Sequence, residues 1–244
     1  MNQLAQIQNF QTALDGYHPS KTAIQVLSQT ELVLLVAPAA SGRNTIIREL
    51  LKTDDYYFIV SDTTRKPRTN DGILEQNGRE YWFRNEADML ADIDSGKFLE
   101  AAIIHNQQVS GISIRELQAA QELRKIAMTD AEVAGADNAI RYKPDTVAIF
   151  VLPPNFEEWQ RRLRYRGDMH DEEFKRRMES ALTEFEIALS RDYFRFVVND
   201  SIDDAAAEVN QIVKLDILDE TKQSSGRKLD EQLYVDTAAL LKSL

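Results

Sequence analysis

Leu32-Val33-Leu34-Leu35-Val36 is an unbroken apolar run that gives way at once to Ala37-Pro38-Ala39-Ala40-Ser41-Gly42 and then to a helical stretch reaching Lys52. A strand without polar alternation must be covered on both faces, which points to the interior of a parallel sheet. The alternation continues down the chain. Residues 56–60, 98–104, 125–129, 146–152 and 194–198 read as strands. Helical spacing falls over 86–93, 113–123, 133–140, 171–189 and 203–213, and Asn155 can cap a further helix rich in Arg. This order predicts an α/β chain whose mostly parallel sheet is covered by helices. Ahead of this core, Leu4, Ile7, Phe10, Ala13 and Leu14 mark one helix, Gly16 and Pro19 end it, and Ser20 can cap a second over 21–28. Residues 62–79 are polar and turn-rich. Residues 221–228 read as a linker before a terminal helix over 230–241.

The 244 residues suggest one to two domains, and the 43% hydrophobic and 28% charged content is that of an ordinary globular chain, neither collagen-like nor wholly disordered. The absence of cysteine excludes disulfides, thiolate-bound zinc and iron–sulfur clusters. The longest apolar run, 32–40, contains Pro38 and falls far short of the roughly 20 residues of a membrane span. The first basic residue is Lys21, so no secretory n-region is expected. A cytoplasmic protein with neither membrane nor nucleic acid as partner follows as the expectation, since the net charge is −11.

The segment from Ala37 to Thr45 sits between a buried strand and a helix, where backbone N–H groups can bind phosphate oxygens. A phosphate loop of the pattern G-x-x-x-x-G-K-[ST] belongs there. Only Gly42 matches: Ala37 replaces the first glycine, Arg43 the lysine and Asn44 the hydroxyl residue. By itself the segment is equally a plain strand-to-helix turn. Arg43 keeps the charge but not the shape of an ammonium. Asn44 offers an amide oxygen in place of a metal-ligating hydroxyl, and Thr45 supplies a hydroxyl one position late, about 100° round the helix.

Other segments carry a resemblance. Ser61-Asp62-Thr63-Thr64-Arg65-Lys66-Pro67-Arg68 resembles the S-x-T-T-R-x-P-R signature of guanylate kinases. Gly78-Arg79-Glu80-Tyr81-Trp82-Phe83 is similar to their G-x-D-Y-x-F, Gly96-Lys97-Phe98-Leu99-Glu100 to G-x-F-L-E, and Val198-Asn199-Asp200 to V-x-N-D. The strand ending at Pro153-Pro154 and the following Glu157 to Gly167 look like that family's approach to its lid. The resemblance covers about residues 31–215. It implies a P-loop nucleoside monophosphate kinase fold with a monophosphate-binding subdomain over about 61–112 and a lid over about 160–178. Residues 1–30 and 216–244 lie outside it, as helical extensions that could pack on the core or bind a second copy or a protein partner.

The resemblance implies phosphoryl transfer from ATP to GMP or a related monophosphate, with Mg2+. Ser61, Arg65, Arg68 and Tyr81 then hold the acceptor phosphate, because guanidinium groups bind phosphate bidentately. Glu100 reads guanine. Ala40, Ser41, Gly42, Arg43, Asn44 and Thr45 form the ATP loop, with Asn44 a weak metal ligand. Arg43, Arg162, Arg166 and Arg177 are the catalytic cations. The last three lie between Arg161 and Arg177, where seven basic residues stand against four acids. No general base is needed for this chemistry, and His105 and His170 read as surface or packing residues.

This chain departs from the family at the guanine side. Its Y-G-[ST] appears as Ser110-Gly111-Ile112, so Ser110 stands where a tyrosine would touch phosphate and Ile112 where a hydroxyl would read the base. Ser113 could substitute if the loop shifts. D-x-D-x-x-G appears as Asp130-Ala131-Glu132-Val133-Ala134-Gly135, leaving Asp130 to face the base or the metal's waters. The resemblance therefore leaves a second reading open: an inactive guanylate kinase-like module that binds a nucleotide or a phosphorylated protein segment.

Overall fold

The computed structural model describes residues 4–70, 72–104, 106–165 and 170–243. Helices α1 (Ile7–Leu14) and α2 (Lys21–Ser28) come first, then β1 (Leu32–Val36), α3 (Arg43–Leu50) and β2 (Tyr56–Phe58). The short strands β3 (Asp62–Thr63), β4 (Thr69–Asn70), β5 (Ile73–Leu74) and β6 (Trp82–Phe83) follow. Next are α4 (Glu86–Asp94), β7 (Phe98–Ile104), β8 (Gln108–Ser113), α5 (Ile114–Leu123), β9 (Ile126–Asp130) and α6 (Val133–Tyr142). The chain ends with β10 (Val147–Leu152), α7 (Phe156–Tyr165), α8 (Asp171–Ser190), β11 (Phe194–Val198), α9 (Ile202–Leu215) and α10 (Glu220–Ser243). These form two compact units. The first holds Met1–Glu31, Tyr56–Ala127 and Asn138–Pro144, the second Leu32–Asp55, Met128–Asp137 and Asp145–Leu244.

In the second unit β11, β10, β1 and β9 stand in that order, and β10 pairs in parallel with both β1 and β11. All five residues of β1 are buried, as its unbroken apolar sequence requires. Phe150 at the centre of β10 meets Phe185, Phe194 and Phe196 edge-on, and Trp159 of α7 meets Phe185 in the same way. Such pairs add to the burial of the rings themselves. Helix α10 packs on α8 and β11. The linker expected at 221–228 is a correction: the segment is helical from Glu220 onward. Gly226 lies against Phe196, where an added Cβ would meet its Cβ at 2.6 Å, so tertiary packing overrides the low helix propensity of Ser-Ser-Gly.

In the first unit a four-stranded sheet runs β6-β3-β8-β7. β3 is parallel to β6 and antiparallel to β8, and β7 and β8 form a hairpin. One face covers a cluster of Leu4, Phe10, Met89, Ile93, Phe98 and Val109, contributed by α1 and the residues just before it, α4 and the sheet. Ser20 caps α2 by accepting from the Ala23 N–H at 3.2 Å, and α2 packs on α5. The sequence reading found β7 of this sheet but missed β3, β6 and β8, and the separate pair β4 and β5. Strands of two residues show no periodicity, and β8 reads as polar although alternate residues are buried. Among the described residues no helix is long and apolar enough to cross a membrane.

Candidate phosphoryl-transfer site

In the second unit Gly42 occupies the N-cap of α3 with φ +91°. A side chain there is doubly excluded. The backbone is left-handed, and a Cβ would fall 1.9 Å from Asn199 Nδ2. Asn199 is buried at the end of β11, and its Nδ2 donates to the Ser41 carbonyl at 2.8 Å. Its own N–H donates to the Leu152 carbonyl, so the loop is tied to the ends of two core strands. Trp159 Nε1 donates to the Ala39 carbonyl at 2.8 Å. Ala40 holds φ +67°, strained for an L-residue. Ala37, Gly42, Arg43 and Asn44 are among the residues around a hollow of about 60 Å3. Ser41 is fully buried and its Oγ has no hydrogen-bond partner.

Arg43 turns to the end of β9. Its Nη2 meets Asp130 Oδ2 at 2.7 Å, its Nη1 donates to the Ala131 carbonyl at 3.0 Å, and its Nε donates to Asn44 Oδ1 at 3.3 Å. Asp130, expected to face a base or a metal's waters, is thus engaged by the residue in the lysine position. Arg48 Nη2 donates to the Thr45 hydroxyl at 3.3 Å. Glu184 of α8 lies in electrostatic reach of Arg43 and Glu132; burial pushes its carboxyl up to about 7, and its Oε2 has no partner.

Of the expected lid arginines, Arg162 is placed beside the loop's anchor. Its Nη1 donates to the Asn199 carbonyl at 3.0 Å while its Nε meets Glu158 at 2.8 Å. Asn155 caps α7 as expected, accepting from the Glu158 N–H at 2.8 Å. Arg177 pairs with Glu173 one turn earlier on α8. Arg166 and His105 lie outside the described residues.

The first unit gathers the expected acceptor residues. Arg65 forms a two-pronged pair with Glu75, its Nη2 reaching Oε1 at 2.8 Å and its Nη1 reaching Oε2. Its guanidinium lies 4.6 Å from the Tyr81 ring centre and 5.5 Å from that of Phe83. The Arg68 N–H donates to Glu75 at 2.8 Å. The Arg65 guanidinium and the Arg68 backbone N–H therefore meet on one carboxylate, and the Arg65 guanidinium holds it down at about 2. Phe83 is the register partner of Thr63, and Thr63 of Ser110, so these three share a sheet face. Ser110 Oγ donates to Thr63 Oγ1 at 2.9 Å. Glu100 pairs with Ile112 and joins the same face. Ser61 precedes β3 and accepts the Trp82 N–H through its carbonyl at 2.9 Å.

One expectation fails here. Ser113 cannot replace Ile112, because β8 stays extended through Ser113 and successive side chains point to opposite faces. Three anchoring residues escaped the site reading. Asn199 was visible in Val198-Asn199-Asp200, and Glu75 as an acid inside a basic, turn-rich segment. Trp159 read only as part of an Arg-rich helix.

Residues 29–216 match the model of the guanylate kinase family. The chain is 36% identical over 189 residues to guanylate kinase of Myxococcus xanthus, covering 77% of this chain and 88% of that one. It is 32% identical to guanylate kinase of Corynebacterium diphtheriae, with 75% and 93% covered. A solved structure of guanylate kinase from Anaplasma phagocytophilum matches with a TM-score of 0.56 at 22% identity, covering 83% of this chain and 94% of that one, which bears on the fold alone. The motifs, the sheet order and these relatives together place the chain in the guanylate kinase family.

Proposed function

We propose that this chain transfers the terminal phosphoryl group of ATP to GMP or a closely related monophosphate, giving ADP and the diphosphate, with a donor loop weaker than the family pattern. The arrangement of Arg65 carries this reading. Its guanidinium is fixed between Glu75 and Tyr81, beside the sheet face that bears Thr63, Ser110 and Glu100. A dianionic phosphate arriving there meets one guanidinium, that of Arg65, whose rotamer is already set, with Ser61 and Arg68 close in sequence. An acceptor phosphate oxygen then attacks the γ-phosphorus while the bond to the ADP oxygen breaks. The catalysis asked of the protein is positioning and charge stabilisation, the role given to Arg43, Arg162, Arg166 and Arg177.

The loop N–H groups from Ala40 to Thr45 suit the donor phosphates. Asn44 Oδ1 is an oxygen donor of the kind a hard divalent cation accepts, and it faces the loop's own basic residue rather than the core. Mg2+ carried in by ATP would be held there with the phosphate oxygens and would offset their charge. Asp130 is expected to be available to a base or to the metal's waters only when Arg43 releases it.

That last point favours a second reading, a module that keeps the acceptor site without turnover. The Arg43–Asp130 pair uses up the charge a donor phosphate needs. Coupled ADP release with each monophosphate and Mg2+ decides between the two. The kinase reading expects turnover with GMP; folded protein that binds GMP by calorimetry but neither binds ATP–Mg2+ nor turns over overturns it. Changing Arg43→Lys together with Asn44→Ser is expected to raise turnover by on the order of 10². Unchanged kinetics would count against the assignment of this loop.

A further inference from the structure

The first unit has a second polar hollow, on the sheet face opposite Thr63 and Ser110. Asp62 pairs with Gly111 in register, and Ser113 lies two residues on, so both point away from the proposed acceptor face. The cavity has a volume of about 530 Å3, the size of a small-metabolite site. Its charged lining is three cations, Arg84, Lys97 and Arg115, against one acid, Asp92.

Both guanidiniums are preset. Asp62 is fully buried and accepts from Arg84 Nη1 at 2.7 Å and from Arg115 Nη2 at 3.2 Å. Arg115 also lies 4.7 Å from the Trp82 ring centre, and its Nε is 3.8 Å from Glu116. Asp62 and Glu116 sit behind the guanidiniums and do not line the cavity. Asp92 takes Arg84 Nη2 at 2.8 Å and Lys97 Nζ at 2.9 Å. A guanidinium has five N–H donors, so each keeps some for a ligand.

Two helix N-termini open on the same space. Ser20 and Thr22 belong to the start of α2, and Ser113 and Ile114 to the start of α5. They are brought side by side at Gly96-Lys97: the Gly96 carbonyl accepts the Ser20 N–H at 3.0 Å and the Lys97 carbonyl accepts the Ile114 N–H at 2.9 Å. Each contributes about half a positive charge. Ser113, the N-cap of α5, makes no capping bond. It lines the cavity, is 5% exposed, and its Oγ has no hydrogen-bond partner. A buried hydroxyl without a partner is costly unless something else supplies one.

We infer that this cavity is a second anion site, for a dianionic phosphoryl group, separate from the proposed substrate face. Preset guanidiniums, an ammonium, two helix N-termini and an unpartnered hydroxyl form a donor set that a phosphate monoester or free phosphate satisfies, in a chain whose net charge is −11.

The test uses the full chain carrying Arg65→Ala, which removes the proposed acceptor contact, with inorganic phosphate and glucose 6-phosphate as probes in calorimetry. Saturable binding is expected in this background. Adding Lys97→Ala and Ser113→Ala, neither of which bonds Asp62 directly, should weaken it at least tenfold with thermal unfolding little changed. A phosphate monoester binding tighter than free phosphate marks a metabolite site, and the reverse order marks a site for the free ion. Either order supports the inference. Binding lost with Arg65→Ala alone, or unaltered by the two added changes, would overturn it. So would the absence of binding by either probe at millimolar concentration.

Discussion

Glu75 shows how one residue can govern a proposed phosphate site that its own chemistry opposes. A carboxylate repels phosphate, yet Glu75 fixes Arg65 by a two-pronged pair and also receives the Arg68 N–H. Its depressed pKa, about 2 against 4.5, means that this pair stabilises the fold above pH 4.5 and is lost as pH falls toward 2. Glu75→Gln keeps the shape and removes the charge. The expected result is a KM for GMP raised by about tenfold, the loss of roughly one charge-assisted bond, with KM for ATP unchanged. Steady-state kinetics with each substrate varied in turn checks it; equal rises in both constants would point to general unfolding instead. The opposite arrangement holds at Arg43, whose partner Asp130 draws the cation toward β9.

At the scale of single elements, α10 is the least expected piece. Its buried stripe is Gly226, Asp230, Leu233 and Thr237, spaced as one helix face. Asp230 is fully buried and neither carboxylate oxygen has a hydrogen-bond partner. Burial pushes its carboxyl up to about 8, with Arg227 one turn earlier opposing that rise. Between pH 3.8 and about 8 the folded chain keeps a proton that the unfolded chain has lost. Stability therefore falls with rising pH across that window, by at most about 1.4 kcal/mol per pH unit for one proton, and levels off above it. Glu184 adds the same sign, fading as pH rises through about 7. Between pH 7 and pH 8 Asp230 therefore carries the larger share, and Asp230→Asn is expected to remove most of the decline in urea midpoint between them. A decline of the same size in the variant would assign it elsewhere.

At the scale of the molecule, the family match ends at residue 216 but the second unit continues through α10. Deleting residues 217–244 uncovers Phe196 and a face of α8. Thermal unfolding is expected to shift down by more than Leu233→Ala does, itself a loss of about 2–5 kcal/mol for a fully buried leucine. An unchanged melting temperature would make α10 an appendage. The order of strands and helices in the second unit was legible because long apolar runs and capped helices carry their own periodicity. Of the four-stranded sheet only β7 was, since β3 and β6 are two residues long and β8 reads as polar. Motif spacing singled out Arg65, Arg68 and Tyr81, which the fold gathers around Glu75. It could not reveal that Arg43 bonds Asp130, because a rotamer leaves no trace in spacing.

The left-handed Ala40 has a consequence for whatever meets the loop. Glycine there would relieve about 1–2 kcal/mol of crowding but would free the unfolded chain by roughly 0.5–1 kcal/mol, so its net advantage is only about 0.5–1 kcal/mol. What alanine adds is rigidity: the turn has few other shapes to visit. A nucleotide reaching it finds the curve already drawn, and little of its affinity is diverted to bending the peptide into place.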